Sequence, residues 1–201
     1  MTPRPLTIDH SYRFTDAIRP AADSAIPLVE GYRLDTYRGR PGLRIPALAA
    51  AVGSDRLFDV FLQLLAPLGA VVDVVLETSH GNKADRHRDL RRTHIDRPVL
   101  ESYFCEFEDL LLNDGCTGVA VVASGRPMEV QFDEHKLLVC YARNLKPFRR
   151  ILRAAGISRR QDMSLISEAA HLHHTRPADA RQFRDLALRL GVGGSVRKVT
   201  G

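Results

Sequence analysis

The hydrophobic pattern of the chain first becomes regular where apolar residues recur every three or four positions. This stretch follows Ser54, which can cap a helix, and stops at Pro67 and Gly69. Its apolar positions are Leu57, Phe58, Phe61, Leu62 and Leu65. A β-branched run over 71–76, interrupted by Asp73, follows it and is typical of a strand covered on both faces. The pattern predicts a helix followed by a buried strand.

The same helix–strand pattern returns 46 positions later, where Phe61 aligns with Phe107 and Gly69 with Gly115. Asp96 and Pro98 can open a second helix over 98–112. Its apolar positions are Leu100, Tyr103, Phe104, Phe107 and Leu111. Residues 119–123 then form a second apolar run. Because a helix connects the two strands, we expect them to be parallel neighbours with a right-handed connection.

Beyond residue 124 the period of the pattern changes to two. Met128, Val130 and Phe132 alternate with polar residues, which predicts a half-exposed strand, and 137–142 returns as another apolar run. Two strands separated by a short turn must be antiparallel. The sequence therefore predicts an α/β protein of the mixed α+β kind. Its mixed sheet has at least four strands with packing helices, and two consecutive helix–strand units precede the hairpin.

Three segments follow from these patterns. Residues 1–46 hold six of the eleven prolines and read as an irregular N-terminal arm, with 6–10 and 32–37 as candidate edge strands. Residues 47–156 form the α/β core, which ends with a helix over 144–156. Residues 157–201 form a basic helical C-terminal segment packed on the core, with helices at about 159–172 and 177–190.

Charge divides the chain unevenly. Residues 1–142 carry 16 Lys/Arg against 20 Asp/Glu, whereas residues 143–201 carry 13 against 4, within a net charge of +5. Three scattered cysteines indicate a reducing compartment rather than a disulfide framework. No run approaches the roughly 18 apolar residues of a membrane span, and the first residues lack the apolar core of a signal peptide. We expect a cytoplasmic protein with no membrane partner.

No phosphate loop, dinucleotide fingerprint, nucleophile elbow or paired-cysteine metal motif is present. The connection over 78–97 is long and leaves the carboxyl end of a predicted strand, where ligands usually bind in open α/β sheets. Its candidate ligand-binding residues are Glu77, His80, His87 and the strand residue Asp73. The alternative for the connection is a solvated charged loop. For Asp73 it is a structural pair with an arginine or with backbone donors.

A second cluster lies between 168 and 174. On a helix, Glu168 and His171 share a face, a spacing found in metal-binding bundles, and His174 follows closely. The motif occurs only once, and histidines before Pro177 suit a helix C-terminus equally well. Glu168, His171 and His174 are therefore weak metal candidates, and we expect no cofactor.

The third feature is the run of arginines after residue 143. Arg149, Arg150 and Arg153 share the exposed face of a predicted helix, with Arg159 and Arg160 close behind. Such a face suits an acidic protein partner, or the phosphates of a nucleic acid, or it is simply solvated. No helix-turn-helix pattern or aromatic platform supports nucleic acid in particular.

Taken together, the sequence favours a non-catalytic binding or regulatory domain that contacts an acidic protein partner through its basic helices. The alternative is an enzyme of the metal-dependent hydrolase type with its site in the 77–94 loop, and a nucleic-acid-associated protein comes third. The sequence does not decide the oligomeric state, and a homo-oligomer stays open.

Overall fold

The computed structural model of the chain describes residues 12–22, 28–38, 44–81 and 88–192. Within these ranges the strands are β1 (Ile18–Pro20), β2 (Gly31–Arg38), β3 (Arg44–Ala51), β4 (Val71–Thr78), β5 (Arg88–Asp96), β6 (Thr117–Ala123), β7 (Met128–Phe132), β8 (Leu138–Ala142) and β9 (His171–His173). The α-helices are α1 (Leu57–Leu65), α2 (Arg97–Glu106), α3 (Glu108–Asn113), α4 (Lys146–Ala154) and α5 (Asp179–Arg189). Short 3₁₀ turns lie at Ala66–Leu68 and Ile166–Glu168.

Seven strands form one sheet in the order β2-β3-β8-β7-β6-β4-β5, and every neighbouring pair is antiparallel. β1 and β9 form a separate two-stranded antiparallel sheet. The predicted α+β class is confirmed. The expectation of parallel neighbours is wrong, because β4 and β6 pair antiparallel, with Thr78 opposite Thr117.

The strand that reverses the direction is β5, within the connection that the sequence presented as a charged loop. β5 pairs with the outer side of β4, so the chain is already running back when it enters α2. α2 and α3 then lead to β6 on the other side of β4. β5 escapes the apolar pattern because, as an edge strand, it buries Ile95 but leaves Arg88, Asp89 and Arg91 exposed.

The helices cover one face of the large sheet. Leu48 and Ala50 of β3 join α1, α4 and the rings of Phe61 and Phe104 in the main core. On the opposite face, Ala49 and Ala51 lie in a smaller core with Met163 and Ile166 of the C-terminal segment. β4 is therefore buried on alternate residues rather than on both faces, whereas β6 is buried on both.

Two of the predicted helices differ from the structure. The helix expected over 98–112 is broken at Phe107 into α2 and α3. The helix expected at 159–172 is absent, because that segment runs extended into a 3₁₀ turn and then β9. The helices predicted at 144–156 and 177–190 correspond to α4 and α5.

The N-terminal segment contains more regular structure than its prolines suggested. The edge strand expected at 32–37 is confirmed as β2, but β3 begins at Arg44, inside the segment expected to be irregular. Residues 6–10 lie outside the described ranges. The chain after α4 lies along the first half of the outer edge of β2: the Gln161 side chain accepts from the Leu34 amide (3.2 Å) and donates to the Leu34 carbonyl (2.7 Å).

The three cysteines are free thiols in different surroundings: Cys105 is exposed, Cys116 is half-buried and Cys140 is buried. Burial raises the pKa of the Cys140 thiol, and the thiolate is the reactive form.

We expect a thiol reagent to label Cys105 first and Cys140 only when the chain unfolds. In denaturant without reductant, all three thiols should react. Fewer than three groups would reveal a disulfide.

Candidate functional site

Polar residues concentrate at one end of the large sheet, where β4 and β7 end and where β6 and β8 begin. Thr78 faces Thr117 across β4 and β6, and Phe132 faces Leu138 across β7 and β8. The residues next to these strand ends therefore share one end of the sheet, called the polar end below. The buried polar residues at the polar end are Thr78, Asp114, Thr117 and Lys136.

Asp114 is the centre of a buried hydrogen-bond network at the polar end. Its fully buried carboxylate lies 2.8 Å from His80 Nε2 and accepts from the Thr117 hydroxyl (2.5 Å) and the Cys116 amide (3.2 Å). Burial alone would raise the pKa of Asp114, but hydrogen bonds from His80, Thr117 and Thr175 outweigh it and hold the pKa at about 2. The network locks the start of β6 to the end of β4.

Lys136 is buried in the tight turn between β7 and β8. Its Nζ donates to the Thr117 carbonyl (2.8 Å), and its backbone adopts a left-handed conformation at φ 58°. Burial lowers the pKa of the Lys136 ammonium to about 8, against the opposing effect of nearby carboxylates such as Asp114. This side chain is a structural anchor between the turn and β6.

The described ligand candidates around the 78–97 connection lie towards two different ends of β4. Asp73 lies towards the opposite end of β4, where it accepts a hydrogen bond from the His94 amide (3.0 Å) and has Arg91 at 3.8 Å. Glu77 and His80 lie towards the polar end, and His80 is bonded to Asp114. His87 lies outside the described residues.

His80, Asp114 and Cys116 bring one potential ligand atom each to within 4.8 Å of one another. Each of the three is already hydrogen-bonded: the Asp114 carboxylate to His80 and Thr117, and the Cys116 thiol to Ser79 and Thr175. Burial raises the pKa of the Cys116 thiol, which opposes the thiolate form that a metal needs. This group is therefore better described as a structural network than as a metal site.

The second predicted cluster is arranged differently from the helical face that its spacing suggested. Glu168 forms a two-point ion pair with Arg33 of β2, which lowers the pKa of Glu168 and occupies its carboxylate. His171 lies in β9 beside His173, and both face His135 in the β7–β8 turn. His174 is outside this group. Sequence reasoning missed His135 and gave His173 no role as a ligand, although the alternation His171-x-His173 places both on one face of a strand.

Four cationic residues of α4 are exposed. The spacing of Lys146, Arg149, Arg150 and Arg153 puts these exposed side chains on one side of the helix, while Phe148 and Leu152 are buried on the other. Together with Tyr32, these four residues line a cavity of about 260 Å³. This cavity is called the basic groove below.

The guanidinium groups of the basic groove form no ion pair within the described part of the chain. Among the described residues, no carboxylate lies within 4.0 Å of the guanidinium groups of Arg149, Arg150 or Arg153. Arg159 and Arg160 are exposed outside the groove: the Arg159 guanidinium donates to Gln161 (2.9 Å), and the Arg160 backbone amide donates to the Tyr32 carbonyl (2.9 Å).

Comparison of the chain with models of protein families, with curated proteins and with solved structures found no match. Within the part of the chain that the structure describes, no helix has the length and apolar character needed to cross a lipid bilayer.

Proposed function

We propose that this chain is a non-catalytic binding or regulatory domain that contacts an acidic protein partner through the basic groove. The observation that carries the proposal is the set of cations on α4 that line one concavity and, among the described residues, form no ion pair with a carboxylate. Uncompensated charge of one sign raises the encounter rate with an oppositely charged surface and disfavours partners of like charge.

An acidic protein suits the groove better than a nucleic acid does. Lys146 and Arg153 are seven residues apart, so the cationic stripe is only about 10 Å long. A stripe of that length spans only about three phosphates of one strand, which lie about 3.4 Å apart along the helix axis, so it would neutralise few of them. The only aromatic ring in the groove, Tyr32, is buried and offers no stacking surface.

The alternative of a metal-dependent hydrolase built on the 77–94 loop receives less support. Such a site would need Asp73, Glu77 and His80 in one pocket, and Asp73 lies at the other end of β4 from His80. We further propose that the protein works in the reducing cytoplasm, which suits its three free thiols.

The test is a triple reversal, Arg149→Glu, Arg150→Glu and Arg153→Glu. Because exposed charges contribute only about 0–1 kcal/mol each, the variant should unfold at nearly the wild-type denaturant concentration. Its binding to a synthetic glutamate-rich peptide, and to any partner captured from nuclease-treated lysate, should be lost, because like charges then face each other across the interface.

The matched control reverses Arg19, Arg181 and Arg184, which are exposed and lie outside the groove. Both triple variants have the same net charge. If the control variant still binds the peptide and the groove variant does not, the loss of binding is due to the position of the charges in the groove. If both variants lose binding equally, net charge alone is responsible and the proposal is wrong. Nuclease-sensitive capture together with a steep decline of binding with salt would instead indicate a nucleic acid.

A further inference from the structure

Three histidines from two separate parts of the chain meet near the polar end of the sheet. The ring centroids of His135, His171 and His173 are 4.9–5.0 Å from one another. One ring nitrogen from each lies within 4.8 Å of the other two. His171 and His173 are two residues apart in β9 and so project from the same face of the strand.

The Nδ1 atom of each ring is already engaged with an oxygen. His171 Nδ1 lies 2.7 Å from the Ala169 carbonyl, and His173 Nδ1 lies 2.7 Å from the Gly115 carbonyl. His135 Nδ1 lies 3.1 Å from the Asp133 carboxylate. Carbonyl and carboxylate oxygens only accept, so each Nδ1 carries the hydrogen, and a neutral imidazole then has its lone pair on Nε2.

This assignment produces a conflict between two of the rings. His171 Nε2 and His173 Nε2 lie 3.2 Å apart, so two lone pairs face each other at hydrogen-bond distance. Such a contact becomes favourable only when a cation, either a proton or a metal ion, lies between the nitrogens. Two nitrogens bound tetrahedrally to one Zn²⁺ at about 2.0–2.1 Å are themselves about 3.3 Å apart, close to the separation in this chain.

We propose that His135, His171 and His173 bind a Zn²⁺ ion through their Nε2 atoms. Three imidazoles suit Zn²⁺, whereas Mg²⁺ and Ca²⁺ require oxygen ligands. Metal-binding histidines almost always donate their second nitrogen to a carbonyl or carboxylate, and all three rings of this cluster do so. The site is independent of the basic groove and goes beyond the proposed function.

The elements that carry the three rings are held in place by backbone pairing. β9 is paired with β1, with His171 opposite Pro20 and His173 opposite Ile18. The turn of His135 is closed by the Asp133 amide bonding to the Leu137 carbonyl (3.1 Å) and by the Leu137 amide bonding to the Asp133 carboxylate (2.8 Å). Little reorganisation is therefore needed for the ion to bind.

Access and electrostatics also suit a cation. His173 is exposed, and the other two rings are half-buried, so an ion can enter from solvent. Asp133 and Glu134 directly precede His135 in the chain, and negative charge nearby favours a bound cation. Three protein ligands leave the fourth tetrahedral position for water or for a group from another molecule. The ion would also tie the β1–β9 sheet to the β7–β8 turn.

The experiment titrates Zn²⁺ into the full chain after chelator treatment and dialysis, with calorimetry for stoichiometry and a competing fluorescent chelator for affinity. We expect a single Zn²⁺ ion per chain. Substitution by Co²⁺ should give the intense visible absorption of a tetrahedral centre. His173→Ala and His135→Ala should each weaken binding by more than roughly 100-fold, beyond the usual cost of losing an outer-shell partner.

The control is His174→Ala, which removes the neighbouring imidazole outside the cluster and should leave Zn²⁺ affinity unchanged. Asp133→Asn keeps a side-chain oxygen for the turn but weakens the acceptor of His135, and should cost about 10–100-fold. Circular dichroism confirms that each variant is folded. The proposal is overturned if the wild-type chain does not bind Zn²⁺. Binding of Cu²⁺ without binding of Zn²⁺ would also overturn it. Equal losses from His173→Ala and His174→Ala would overturn it too.

Discussion

Replacing Phe61 with alanine is expected to lower the free energy of unfolding by about 3–5 kcal/mol. Phe61 is fully buried in the main core, with ring centroids 5.5 Å from Phe104 and 5.1 Å from Phe132. Its removal leaves a cavity between α1, α2 and β7 that the antiparallel sheet cannot close by moving. The measurement is urea denaturation. The loss of stability should appear as a lower urea concentration at the midpoint, with the dependence of the free energy on urea unchanged.

The matched control is Phe107→Ala. Phe107 aligns with Phe61 in the repeated helix–strand pattern, so the sequence pattern predicts that both rings are buried. In the structure Phe107 occupies the break between α2 and α3 and is only half-buried, whereas Phe104 is fully buried. We therefore expect a clearly smaller loss for Phe107→Ala. Equal losses from the two variants would contradict the placement of the break at Phe107.

Replacing Asp114 with alanine is expected to lower the free energy of unfolding by about 3–5 kcal/mol, because each buried donor left without its acceptor costs about 1–3 kcal/mol. The Thr117 hydroxyl and the Cys116 amide would lose their acceptor, and His80 would lose its partner. Asp114→Asn is the milder variant, because an amide retains one oxygen acceptor. The order wild type, Asp114→Asn, Asp114→Ala should appear in urea denaturation at pH 7.

The same residue gives a pH dependence with a defined sign. The pKa of Asp114 is about 2 in the folded chain and about 3.9 when unfolded, so the folded state favours the ionised form. Its contribution, about 2–3 kcal/mol, is present above pH 4 and is lost as the pH falls from about 4 to about 2. The stability gap between wild type and Asp114→Asn should narrow over that interval. A gap that stays constant would mean that Asp114 is not held ionised.

Local patterns were sufficient for part of this fold. α1, α4 and the hairpin of β7 and β8 have their own periodicity and turn residues, and each lies where the sequence predicts it. β5 could not be found in the same way, since an edge strand needs few apolar residues and Arg88–Asp96 has only Leu90 and Ile95. The direction of β6 relative to β4 depends on that one strand, so the predicted parallel pairing failed with it.

The two candidate sites also differ in how far local sequence patterns could predict them. The basic groove follows from spacing within a single helix, so the residues of α4 were predictable. The histidine cluster joins a turn to a strand more than thirty residues later, and no local pattern connects His135 to His171. The interpretation of 159–172 as a helix also placed His171 and Glu168 on one face. In the structure Glu168 instead forms an ion pair with Arg33.

The two edges of the large sheet bear on how the chain behaves at high concentration. An exposed strand edge is a template on which other chains can add strands, the first step towards fibrils. On β2 the Gln161 side chain occupies the backbone groups of Leu34, and the Tyr32 backbone is paired with Ser158 and Arg160. On β5, the charged side chains of Arg88, Asp89 and Arg91 are exposed. Charged side chains on an edge strand disfavour pairing with a strand of another chain. Sheet-to-sheet polymerisation is therefore opposed along the first half of the β2 edge by hydrogen bonds already made and at the β5 edge by charge.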